Sequence, residues 1–238
     1  VGFNLSQFVS VTGGPVSSVS AVFSSAVSTG QHLIAVQAFF NTGAVTFSTI
    51  TDNVNNAGFV ARINSTLVGS TADHVRIHDK LNLSSGAAAS TYRLSANYSG
   101  NVGVSLCGLI YEKSGIGNSS FGSTGSSNGT STGPRGPSMT ASTSPCLFVS
   151  GATVSAVNAF VSTASASATW ITTIDNPNAN QPLNVIHSTN ATLTQQPTHS
   201  LNASIGWVAG TVVYVGSQDG GGGGAIGRMW HMCMMGVQ

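Results

Sequence analysis

Residues 101–115 read NVGVSLCGLIYEKSG, and the spacing of apolar side chains in this stretch decides the fold class. Val102, Val104 and Leu106 recur every second residue, the period of an extended chain whose successive side chains point to opposite faces. The stretch carries Glu112, the only glutamate of the chain, and then opens into a long Ser/Gly-rich segment. Outward from it the same period returns. On the N-terminal side strands are predicted at 1–11, 19–23, 32–40, 44–50, 59–63, 74–80 and 90–98. On the C-terminal side they are predicted at 146–154, 158–174, 183–187, 205–215 and 226–237. No stretch sustains a period of 3.6, so no helix of consequence is expected. The expectation is an all-β protein, a jelly-roll or immunoglobulin-like β-sandwich of about ten to twelve strands. It is read as one domain over residues 1–238, with a first half at 1–115, a crossover loop at 116–144 and a second half at 145–238.

Punctuation between strands has a local cause. Gly13, Gly14 and Pro15 are read as closing the first strand. The run TDNVNNAG at 51–58 offers Asp52, Asn53, Asn55 and Asn56, whose side chains can cap their own backbone in a turn. From 118 to 144 the composition collapses into Ser, Gly, Thr and Pro. Such a segment cannot bury enough apolar area to fold alone and is read as a surface crossover.

Charge excludes several functions. Only 5% of residues are charged and the net charge is +1, so hydroxyls and amides must supply the polar surface. Arg62, Arg76, Lys80, Arg93, Lys113, Arg135 and Arg228 are scattered and form no row to neutralise phosphates, which argues against a nucleic-acid partner. The longest apolar run, 33–40, is interrupted by Gln37 and too short to span a bilayer. A surface without charge repulsion suits a protein that assembles or carries sugar. The chain begins at Val1, as a mature terminus left after export would, so an extracellular or cell-surface location is expected. Sequons stand at Asn4, Asn64, Asn82, Asn97, Asn118, Asn128, Asn190 and Asn202; each is a candidate glycosylation site, beside the plainer reading that an Asn- and Ser-rich composition produces them.

Motifs that resemble catalytic ones fail on context. Residues 125–129, GSSNG, match the G-x-S-x-G nucleophile pattern but lie in the low-complexity segment, without the strand-to-helix elbow that exposes such a serine. Gly222, Gly224 and Gly227 match G-x-G-x-x-G but precede a Met/Trp strand and no helix. His74 and His78 share a strand face with Arg76 between them. At about 13 Å apart they cannot hold one metal ion, and a solvated polar face is expected. Glu112 alone supplies no carboxylate pair for glycoside hydrolysis. No catalytic residue, metal ligand or cofactor is therefore assigned. Cys107, Cys146 and Cys233 allow one disulfide with one cysteine left over. Cys107 with Cys146, in strands flanking the crossover, is the preferred pair, against three buried thiols.

The succession LIAVQAFF, ITDNVNNAGFVA, VRIHDKLNL, YRLSANYSG and LIYEKSG resembles a β-sandwich module of bacterial secreted and surface proteins. In that module a strand of LIVVAV type precedes a VTDSxGNTY-like turn and an AEYSG-like element closes the first half. The likeness covers roughly residues 15–115 and, more faintly, the second half. It departs from the usual pattern at Tyr111-Glu112-Lys113. The resemblance implies a sandwich fold and supplies no catalytic residue; a single-domain version is similar to subunits of extracellular fibrils of environmental origin. The expected function is thus a structural subunit that polymerises non-covalently with itself into a filament or surface layer. Its candidate assembly strand carries Val1, Phe3, Leu5 and Val9 on one face and would complete a neighbour's sheet. The Met-rich strand at 226–237 is the second candidate. The alternatives are an adhesive or glycan-binding module, expected to expose tryptophans from among Trp170, Trp207 and Trp230, and a viral coat or tail protein.

Overall fold

The computed structural model describes residues 2–40, 45–55, 58–67, 73–114, 116–155, 171–176, 181–189 and 193–218. They form β1 (Gly2–Val22), β2 (His32–Phe40), β3 (Phe47–Asp52), β4 (Val60–Thr66), β5 (Asp73–Lys80), β6 (Arg93–Ser114), β7 (Ile116–Ser131), β8 (Met139–Thr140), β9 (Cys146–Val154), β10 (Ile171–Asn176), β11 (Leu183–Ser188), β12 (Thr194–Gln195) and β13 (Ile205–Gln218). The protein is an all-β sandwich. One sheet runs β1-β6-β2-β5-β4 with β3 also paired to β6; the other runs β10-β11-β9-β13-β7, and β12 pairs with β8 alone. Every pairing is antiparallel. Among the described residues no helix is long and apolar enough to cross a membrane.

Between the sheets, alternate residues of each strand form one core. Ile34, Val36 and Ala38 of β2, Val75 and Ile77 of β5 and Leu109 of β6 meet Leu147, Val149, Val208 and Val212 of the second sheet. Each Val, Leu or Ile side chain among them contributes about 1.5–3 kcal/mol by leaving water. A glycine pair lets the sheets approach: Gly151 of β9 is opposite Gly210 of β13. A Cβ on Gly151 would come 2.4 Å from Val36 Cγ1, and one on Gly210 would come 2.6 Å from Ile63 Cγ2. Larger residues there would wedge the layers apart.

The first sheet is also buried on its other face, by its own ends. At about 3.3 Å per residue a straight strand would hold positions 94 and 108 roughly 45 Å apart. Yet Leu94 Cδ2 lies 2.8 Å from where a Cβ on Gly108 would sit, beside Phe23 Cζ at 2.7 Å. The β1–β6 ribbon therefore folds back over the sheet, bending where its register shifts between Gly13 and Val16 and again between Val16 and Ser18. The overlap buries a second core of Phe23, Leu33, Phe39, Leu94, Leu106 and Ile110. Gly13, Gly14 and Pro15 thus bend a strand that the sequence reading ended there, and the expected strands 90–98 and 101–115 are one strand.

A smaller bulge corrects the face assigned to β1. Phe3 is buried in the inter-sheet core, against which Leu5 packs, but the register shifts between Leu5 and Gln7. The extra residue swaps the parity, so Val9 and Val11 pack against the second core. Phe3 and Leu5 therefore do not share a face with Val9.

The expected crossover loop contains β7, a 16-residue strand paired along its length with β13. Its backbone is held by the β13 ladder, and Phe121 packs against the inter-sheet core. Small residues then let neighbours close over it: a Cβ on Gly125 would meet Pro137 and Met139, and one on Gly129 would meet the Trp207 ring. Residues 132–141 and 193–201 lie antiparallel as a strap, tied by Gly136 N to Pro197 O at 3.0 Å and His199 N to Pro134 O at 2.8 Å. Beneath them Phe148, Ile186 and Val213 form a further cluster on the face of the second sheet turned away from the first.

Candidate functional site

Edge strands are where a sandwich meets other molecules, because one row of their backbone donors and acceptors is unpaired. β1 ends the first sheet and β7 ends the second. Both are long, and neither contains Asp, Glu, Lys or Arg, the residues by which edges are usually protected from pairing. Phe8 of β1 is 51% exposed. Gln7 anchors the strand to the following turn, accepting from Ser25 N at 3.1 Å and donating to Ala26 O at 3.2 Å. Of the candidate assembly residues, Phe3, Leu5 and Val9 are built into the subunit's own cores, with β1 paired to its own β6; Val1 lies outside the described residues, as does the strand expected at 226–237.

Asn4, Asn64, Asn82, Asn128 and Asn202 are exposed. Asn82 stands in a left-handed turn, φ 54°. Asn97 is half-buried and its Oδ1 accepts from Ser18 Oγ at 2.9 Å. Asn118 belongs to β7, and Asn190 lies outside the described residues.

No bond joins Cys107 to Cys146, which corrects the preferred disulfide. Cys107 packs between the sheets, whereas Cys146 lies in the cluster on the second sheet's other face. Burial raises the pKa of both thiols. Cys233 is outside the described residues.

The strand of His74, Arg76 and His78 carries the most unusual electrostatics. Alternation along β5 turns Asp73, Val75, Ile77 and Asp79 toward the second sheet: Asp79 Oδ2 accepts from Arg62 Nε at 2.8 Å, and Asp73 Oδ1 from Gln181 Nε2 at 3.2 Å. Both carboxylates therefore face away from Arg76. Its guanidinium lies over Phe47, 4.8 Å from the ring centroid, and 5.5 Å from that of Phe39. His74 stacks on Phe39 at 4.5 Å and His78 lies 5.1 Å from Phe47.

Opposite Arg76 in the ladder stands Gln37, fully buried. Tyr98 donates its hydroxyl to Gln37 Oε1 at 2.7 Å, leaving Gln37 Nε2 without a hydrogen-bond partner, as are Arg76 Nε and His78 Nδ1. Burial, and then the Arg76 charge, lowers the His78 pKa to about 4. The imidazole is therefore neutral at pH 7. Burial also lowers the Arg76 pKa. Buried donors left unpaired cost about 1–3 kcal/mol each. The solvated polar face expected for His74 and His78 is instead a half-buried aromatic box around a cation that no carboxylate neutralises among the described residues. Alternation placed the three side chains together in the sequence; the Gln37 row and the Phe47 cover come from strand order and could not be read there.

A second polar cluster was invisible in the sequence. Under the strap, Ser150 Oγ lies 3.1 Å from His199 Nε2, and His199 Nδ1 lies 2.6 Å from Asn184 Oδ1. The order Ser–His–Asn resembles a nucleophile with its base and orienting group. Ser150 is fully buried, however, with Oγ also bonded to Gly210 O at 3.2 Å and Thr211 Oγ1 at 3.2 Å, and burial lowers the His199 pKa to about 3. The cluster fastens strap to sheet and presents no attacking oxygen to a substrate.

Ser127, central to the G-x-S-x-G match, lies in extended β7 and donates to Arg135 O at 2.5 Å; the matching glycines at 222, 224 and 227 are outside the described residues. Glu112 is exposed and accepts from Gln31 Nε2 at 3.4 Å. Trp207 is buried and donates to Ser131 Oγ at 2.9 Å, while Trp170 and Trp230 are outside the described residues.

No protein-family model matches the chain, and no significant match exists among curated proteins or solved structures.

Proposed function

We propose that the protein is a structural subunit that polymerises with copies of itself, as an extracellular or cell-surface filament or layer. The observation that carries this reading is β1, a 21-residue edge strand without a charged residue, whose outer row of backbone groups has no partner strand among the described residues. Such an edge left bare would pair with whatever strand it met, so a protein that keeps it uncharged is suited to use it. The complementary surface is the β7 edge of a second copy, also long and uncharged. A β1-to-β7 contact joins unlike surfaces and can repeat without closing, which yields a filament. Main-chain hydrogen bonds supply affinity, and Phe8 adds apolar area. Because Phe3 and Leu5 belong to the subunit's own core, assembly adds a strand to β1 and does not withdraw it.

The test images the full chain by electron microscopy and sedimentation beside F8K and N128K, which place a charge on each edge while leaving the buried positions alone. The expected outcome is filaments from the unaltered chain and monomers from both variants, with melting temperatures unchanged within a few degrees. Filaments from all three would remove the edge mechanism, and monomers from the unaltered chain would remove the polymeric role.

A further inference from the structure

The Arg76 cluster on the outer face of the first sheet points to a binding site independent of the assembly edges. Three features define what it could hold. The guanidinium carbon lies over the rings of Phe47 and Phe39 and Nε is buried, so the terminal nitrogens of the fork are what remain for a ligand. Those nitrogens meet no acid among the described residues: Asp73 and Asp79 point to the opposite side of β5, toward Gln181 and Arg62. Beside them, Gln37 Nε2 is a fully buried donor with no partner, on the residue directly across the ladder from Arg76.

Donors without acceptors, around one positive charge, ask for a monoanion with two acceptor atoms. A carboxylate fits a planar fork in bidentate fashion. A phosphate dianion would be half neutralised, since the next cation on this strand, Lys80, is paired with Asp52 at 3.2 Å. The open side of the cluster is β4, where Asn64, also opposite Arg76 in register, and Thr66 are exposed. An amide and a hydroxyl there suit a hydroxylated ligand body.

We propose that Arg76, flanked by Phe47 and Gln37, binds the carboxylate of an acidic saccharide or small organic acid.

Titration calorimetry of the full chain with glucuronate, acetate and glucose tests this. The expected result is saturable binding of glucuronate and none of glucose. R76K keeps a charge over Phe47 but loses the fork, and weakens binding by about tenfold or more; R93Q, at an exposed arginine on the same sheet, leaves it unchanged. Tighter binding of glucuronate than acetate assigns the saccharide; equal binding assigns the small acid. A second reading needs no variant: the Arg76 Nε–H resonance of the labelled, unaltered protein shifts with glucuronate and stays fixed with glucose. Absence of binding by both acids, equal binding of glucose, an unmoved Arg76 resonance, or equal losses in R76K and R93Q would overturn the proposal.

Discussion

The two sheets of this sandwich solve the same packing problem with different chemistry. The first carries nearly all the charge of the described strands: Asp52, Arg62, Asp73, Arg76, Asp79, Lys80, Arg93, Glu112 and Lys113 lie on β3 to β6. The second carries Asp175 alone among Asp, Glu, Lys and Arg. The first covers its outer face with its own long ribbon, which brings apolar residues to both sides of β2 and leaves polar groups to be neutralised in pairs or left waiting, as Arg76 is. The second is covered by a strap and fastened with neutral hydroxyl, amide and imidazole groups around Ser150. A sheet enclosed by distant parts of its own strands can hold charges because it has room to partner them; one sealed by short loops uses groups whose burial costs less.

Four measurements would break or sharpen this contrast. The largest effect of a single substitution is expected at the seam. Arg62 of the first sheet pairs with buried Asp79 and lies 4.1 Å over the Phe121 ring of the second. R62M would leave that carboxylate buried without its cation and lower unfolding free energy by about 3 kcal/mol, read from denaturant melts; a loss below about 1 kcal/mol would mean that Asp79 finds solvent or another donor. Next, G210V would press on Ile63 and separate the layers, at a cost of about 2–3 kcal/mol; an unchanged melt would show that the sheets can part freely there.

Acid should act on both sheets. Burial lowers the pKa values of His187 to about 4 and His199 to about 3, and burial with Arg76 lowers that of His78 to about 4. An unfolded histidine titrates near 6.5. Below that pH the unfolded chain takes up protons that the fold refuses, so their contribution is whole above about 6.5 and declines as pH falls toward 4. The slope is up to about 1.4 kcal/mol per pH unit per histidine. Equal stability at pH 7.5 and 5 would mean that these rings reach water. The smallest effect is expected from S150A, which removes one hydroxyl from the strap's network for about 1 kcal/mol; hydrogen exchange should quicken in residues 193–201 before the rest, and uniform acceleration would deny the strap its separate fastening.

Much of the fold was legible. Period-two alternation located most strands of the first sheet, and Asp52 caps the 51–58 turn as its chemistry requires, its Oδ1 accepting from Val54 N at 2.9 Å; Asn53 Oδ1 instead accepts from the distant Arg93 N at 2.6 Å. β7 was not legible, because a Ser/Gly/Thr strand has no apolar rhythm and owes its existence to β13. Nor was the bend of the β1–β6 ribbon, since Gly13, Gly14 and Pro15 signal a change of direction without saying whether pairing continues beyond it. The Arg76 cluster was half legible: one strand's alternation groups His74, Arg76 and His78, but only strand order sets Gln37 beside them.

By itself, then, the sequence determined what depends on neighbours along the chain: an all-β architecture, the near absence of charge, and the turns that side chains cap for themselves. The tertiary structure alone decided what depends on partners distant in sequence. It set which face of β1 is core after the bulge, whether a glycine-rich segment pairs, why Cys107 and Cys146 lie apart, and which cation meets no carboxylate among the described residues. Alternation is a property of one strand, whereas burial and neutralisation are properties of what a second strand brings against it.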